Sequence, residues 1–144
     1  MSKTPSKTGS AAVTNEGEVS FALYGDDFDP DLATQLIGVK PTFARRGDRP
    51  KPKQTAWKVS SGKVQGDVID VYELSAALIS MLRPYSERIG EAKQQLGLQA
   101  VLEVVLWITI DDTKPTPMIG FETDVVAFLN SIGASIDVDT YRNA

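Results

Sequence analysis

Four aspartates crowd the stretch Asp26-Asp27-Phe28-Asp29-Pro30-Asp31, directly after the half-apolar run of residues 18–25. Carboxylates this dense do one of three jobs: they ligate a hard cation, they share a proton in acid–base chemistry, or they cap a helix. Spacing separates these jobs. Asp27, Asp29 and Asp31 match the first three ligand positions of a calcium loop, but Leu32 stands where the turn glycine is needed and Gly38 where the closing glutamate belongs. Calcium therefore fits badly. Adjacent Asp26 and Asp27 point to opposite sides of an extended chain, which argues against a facing acid–base pair. Asp29 before Pro30 is a good helix start, because its carboxylate can accept from first-turn amides and proline needs no amide there. Asp31 then complements the helix dipole. Asp26 and Asp27 are left as candidates for a binding role, with Arg45 and Arg46 as possible counter-charges.

The chain of 144 residues has no histidine and no cysteine. Disulfides, cysteine nucleophiles, Cys/His zinc sites and Ser-His-Asp machinery are thereby excluded within it. Enzyme chemistry would fall to carboxylates, lysine, tyrosine, serine, threonine or an oxygen-ligated metal. A second carboxylate set, Glu103 with Asp137 and Asp139, would face across a sheet. No metal-ligand spacing and no cofactor motif stands out, so no cofactor is expected.

Net charge is −4 but unevenly spread. Residues 40–63 carry eight basic side chains against one aspartate, while the segments on either side are acidic. Within 40–54, Arg45, Arg46, Arg49, Lys51 and Lys53 make a basic loop that Pro50 and Pro52 keep extended. It either folds onto the acidic body or meets an anionic partner. The negative total and a single nearby stacking residue, Trp57, weigh against nucleic acid. Arg46-Gly47-Asp48 matches integrin-binding loops over three residues only, which carries no weight.

These residues have to be positioned by regular elements. Residues 1–17 are rich in Ser, Thr, Gly and Lys and read as a disordered tail without the apolar segment of a secretory signal. No apolar run nears the roughly 18 residues that would span a bilayer, so a cytoplasmic protein without a membrane partner is expected. Alternation predicts strands at 18–25, 42–45, 55–61, 98–111, 118–121 and 134–141. Leu32, Leu36 and Ile37 recur at helical spacing up to Gly38. Val71, Leu74, Leu78, Met81, Leu82, Tyr85, Ile89, Ala92 and Leu96 predict a long helix that keeps its phase through Pro84, hence a kink rather than a break. A last helix runs over 123–133 with Thr123 as its cap. Its surroundings echo 28–38, which raises a duplication or merely the common grammar of a short helix between strands.

The order β-α-β-β-α-β-β-α-β is that of a single layered α+β domain over 18–144, an antiparallel or mixed sheet with about three helices packed on one face. The other face would carry Tyr24, Glu103 and Trp107, with Trp57, Asp137 and Tyr141 as further candidates, unless the basic loop covers them. Ile136 and Val138 would point inward.

In order along the chain, Gly25-Asp26-Asp27-Phe28-Asp29-Pro30, Leu36-Ile37-Gly38-Val39-Lys40-Pro41-Thr42, Gly47-Asp48, Trp57, Gly120-Phe121 and Asp137-Val138-Asp139 resemble a bacterial family, domain of unknown function 4279. The resemblance covers roughly 18–141. It implies no established activity; short bacterial domains of this kind include toxin-neutralising immunity proteins. The residue types favour a non-enzymatic protein-binding or immunity-type module, its partner toxin-like or a second copy. The alternative is a small-molecule binder or carboxylate enzyme using Asp26/Asp27 and Arg45/Arg46. The candidate binding residues are Asp26, Asp27, Arg45, Arg46, Trp57 and Trp107.

Overall fold

The computed structural model describes residues 14–47 and 54–143. Within them the chain runs β1 (Asn15–Gly25), α1 (Pro30–Ile37), β2 (Phe43–Arg45), β3 (Thr55–Ser60), β4 (Val64–Gly66), α2 (Val71–Leu82), a 3-10 turn (Arg83–Tyr85), α3 (Ser86–Leu96), β5 (Gln99–Thr109), α4 (Thr123–Ile132) and β6 (Ser135–Asn143). Six strands form one mixed sheet in the order β2-β3-β1-β5-β6, with β4 pairing the start of β1. All pairings are antiparallel except β5 with β6, which run parallel because α4 returns the chain between them.

Helix ends follow local chemistry. Asp29 accepts from the Asp31 amide at 2.9 Å, Pro30 opens α1, and Gly38 closes it at φ 85°. Asp70 caps α2 by accepting from Glu73 N. Gly97 and Gly133 end α3 and α4 in the same left-handed conformation, which glycine adopts without a Cβ penalty. Around Pro84 the chain passes through the 3-10 turn, where Tyr85 leaves the helical region at φ −106° and ψ 9°, so the expected continuous helix is two, α2 and α3, joined by that turn. Glu122, not Thr123, is the residue before the first turn of α4.

The register fixes which face is covered. Val19, Phe21 and Leu23 of β1 pair with Val104, Leu102 and Ala100 of β5, and Phe21 and Leu23 also pair with Val59 and Trp57 of β3. All are buried. This side carries the helical layer: Phe128 of α4 meets Phe21 edge-on at 5.9 Å, and α1, α3 and α4 pack side by side. Burial of this single apolar slab is the main stabilising term.

Further expectations need correction. β1 starts at Asn15, inside the stretch read as a tail; residues 1–13 lie outside the described residues. Asn15 is fully buried, its amide donating to the carbonyls of Asp67 and Pro115 and its Oδ1 accepting from Thr109 N at 2.9 Å. Residues 64–66, outside every predicted strand, are β4. Residues 118–121 are not a strand: Met118 makes one parallel bridge, to Asp70, and its neighbours do not continue it. Ile136 and Val138 lie on the helix side by register, yet they are 41% and 39% exposed because the helical layer stops short of β6. The echo between 28–38 and 121–133 does not extend to topology: β6 after α4 joins β5 in parallel, whereas β2 after α1 joins β3.

Candidate functional site

Among the described residues no helix covers the opposite, open face of the sheet. Strand alternation puts Glu16, Glu18, Ser20 and Tyr24 of β1 there, beside Trp107, Val105 and Glu103 of β5. Phe43 and Arg45 of β2 and Lys58 and Ser60 of β3 continue it on one side, Asp137, Asp139 and Tyr141 of β6 on the other.

Two clusters organise this face. In the first, Glu103 bridges its neighbours: Tyr24 donates to Oε2 at 2.5 Å and Lys58 Nζ lies 3.0 Å from Oε1. The ammonium also sits 5.4 Å from the Tyr24 ring centroid and 5.8 Å from that of Phe43, within cation–π range. Burial, then the hydrogen bond to Glu103, push the Tyr24 phenol above its ordinary value. Burial by itself would lower the Lys58 ammonium, but hydrogen bonds to Tyr24 and Glu103 outweigh it and raise the group. Both protons are thus held more firmly than in water. A recess of about 270 Å³ adjoins this cluster, lined by Glu18, Ser20, Thr42, Phe43, Lys58, Ser60, Glu103 and Val105. Ser60 Oγ donates to Glu18 at 2.6 Å on its wall.

In the second cluster Trp107 and Tyr141 stack at 6.2 Å with 23° between planes. Lys63 Nζ lies 4.0 Å over the Trp107 ring and 3.0 Å from Glu16 Oε1. Hydrogen bonds from Lys63 and then Gln65 hold the Glu16 carboxyl below its ordinary range. Tyr141, 54% exposed, is the outer aromatic of this ledge.

The residues singled out from sequence do not converge. Trp57 is fully buried on the helix side, its Nε1–H donating to Thr34 Oγ1 of α1 at 3.0 Å. It therefore leaves the open face and becomes a core residue. Asp26 and Asp27 are exposed in the turn after β1. Arg46 reaches that turn but pairs with Asp29 at 3.2 Å. Arg45 lies on the open side, donating to the Gln54 carbonyl at 3.0 Å and standing over Phe43. Arg49, Lys51 and Lys53 lie outside the described residues, and with them the question of whether the basic loop covers the sheet. Glu103 pairs by register with Asp137, yet its carboxylate is engaged by Tyr24 and Lys58. Among the described residues no three acidic, His or Cys side chains are arranged to hold a metal ion.

Sequence reasoning placed Tyr24, Glu103, Trp107 and Tyr141 on one face but missed Lys58, Phe43, Lys63 and Glu16. Alternation in Thr55–Ser60 carried the signal for Lys58, opposite to Trp57. Lys63 lay outside the predicted strands and Glu16 in the stretch read as a tail, and only the β1–β4 pairing brings them together.

Among the described residues no helix is long and apolar enough to cross a membrane. No curated protein and no solved structure matches the chain. A family model described as Domain of unknown function (DUF4279) matches residues 14–143, from the start of β1 to the end of β6, and the chain belongs to that family.

Proposed function

We propose that this chain is a non-enzymatic protein-binding module whose contact surface is the open sheet face. One observation carries the reading: among the described residues no helix covers this side of the sheet, which presents Tyr24, Phe43, Trp107 and Tyr141 among charged groups. Aromatic anchors in a polar surround are what protein interfaces use. The protonation pattern supports the same reading. General acid–base catalysis needs groups poised near neutrality, and an amine nucleophile must be able to lose its proton. Tyr24 and Lys58 move the other way. No observation favours Asp26/Asp27 with Arg45/Arg46 as a reactive site, since Arg46 and Arg45 are engaged by Asp29 and Gln54. An immunity-type role, neutralising a toxin in the bacterial cytoplasm, is the form of the reading that the family resemblance suggests by analogy.

The test is capture from the native host with the full chain and with Trp107→Ala and Tyr141→Ala, each first checked for native melting. The expected result is a protein retained by the wild type and lost with either variant. Retention by all three alike, or by none, refutes the assignment of this face.

A further inference from the structure

We propose that the outer edge of β6 pairs with the same edge of a second copy, antiparallel and centred on Thr140. The two edges of the sheet differ sharply. β2 is three residues long, whereas β6 is nine, and among the described residues no strand pairs with its outer side. Every residue from Ser135 to Arg142 is exposed. An unpaired edge of this length is a template for another strand, and β6 has none of the proline, lysine or bulge that blunt such edges.

The backbone then restricts what can pair. Asn143 O accepts from Ile110 N, so the odd-numbered residues of β6 turn their amides toward β5. Ile136, Val138, Thr140 and Arg142 therefore turn theirs outward. Pairing even residues with even residues keeps the helical layers of both copies on one side and merges their open faces into one surface.

Charge selects the register. A two-fold centred on Asp137 or Asp139 sets that carboxylate against itself, and one centred on Val138 sets Asp137 against Asp139. Like charges directly opposite are destabilising. Centring on Thr140 is the longest pairing that avoids this. It places Asp137 opposite Asn143, Asp139 opposite Tyr141, and Val138 opposite the stem of Arg142. The sequence of the strand is thus self-complementary in that register, which is the mark of an isologous contact and the reason a second copy is assigned here rather than a foreign peptide. The proposal does not rest on the partner-binding reading.

The absence of cysteine makes the test clean. Sedimentation equilibrium of the full chain should give twice the monomer mass of 15.6 kDa, falling toward it on dilution. In Thr140→Cys the new thiol faces its own copy across a hydrogen-bonded pair, where Cα atoms about 5.5 Å apart allow a disulfide. Mild oxidation should convert Thr140→Cys to covalent dimer and leave Asp137→Cys, also exposed but facing Asn143, uncrosslinked. A native chain that stays monomeric at every concentration overturns the proposal. So does a dimer in which the two cysteine variants crosslink alike.

Discussion

Replacing Thr34 by valine tests the interior directly, because it deletes one hydroxyl while preserving shape. Trp57 is 0% exposed, and its indole N–H is 3.0 Å from Thr34 Oγ1. The same hydroxyl donates to Pro30 O at 3.1 Å, a back-bond within the helix whose loss is close to neutral. The effect therefore reports on the indole donor left without an acceptor, which costs about 1–3 kcal/mol. Against a total of roughly 5–15 kcal/mol for a domain, that is a large fraction. The expected fall in melting temperature is roughly 3–12 °C. Urea denaturation should show a lowered midpoint at an unchanged slope. Trp57→Phe removes the donor, so in that background Thr34→Val should be nearly silent. The non-additivity is the signature of the contact. A cost for Thr34→Val below about 0.5 kcal/mol, or the same cost in both backgrounds, would show that the indole is solvated and that the placement of β3 against α1 is wrong.

Asn15→Leu strips three hydrogen bonds of a fully buried side chain that join the start of β1 to the end of β5 and two loops, and should lower stability by about 2–4 kcal/mol in a denaturation series. A Cβ added at Gly17 would stand 2.7 Å from Ile69 Cγ2 and 3.2 Å from Leu106 Cδ2, so Gly17→Ala should cost about 1–3 kcal/mol by overpacking, read from the same transitions. The Tyr24 and Lys58 groups titrate above their ordinary 10.0 and 10.5 in the fold, so the stability they contribute is complete below those values and is lost as pH rises through the folded ones. The denaturation midpoint should fall in that alkaline window, and Tyr24→Phe should flatten the fall. Glu16 is held below 4.5, so its contribution is present above that value and lost as pH falls through the folded one; Glu16→Gln should remove that acid slope.

Much of the fold was legible because its signals are local. The N-cap at Asp29, the glycine stops at 38, 97 and 133, and the apolar stripe running through Pro84 each depend on a few neighbouring residues. β4 was not legible: three residues with one inward apolar side chain carry no period, and they become a strand only because Asn15–Gly17 lies alongside. Asn15 sits in a polar stretch that resembles a tail, and its burial depends on Asp67, Thr109 and Pro115, distant in sequence. The candidate site divides the same way. Alternation assigned Tyr24 and Glu103 correctly to one face, whereas Lys58 and Lys63 gain their meaning from carboxylates that other strands bring within 3.0 Å.

By itself the sequence determined where the helices lie, the capped start of α1 and which residues of each strand share a side, since capping and the two-residue period are set within a turn or a pleat. Only the tertiary structure decided which side of each strand is covered. Trp57 and Lys58 alternate with equal clarity, but the pairing of Leu23 with Trp57 puts the indole under α1 and leaves the lysine on the open face. Long-range register is a property of two strands at once, and it settles which side chains become core and which remain free to meet a partner.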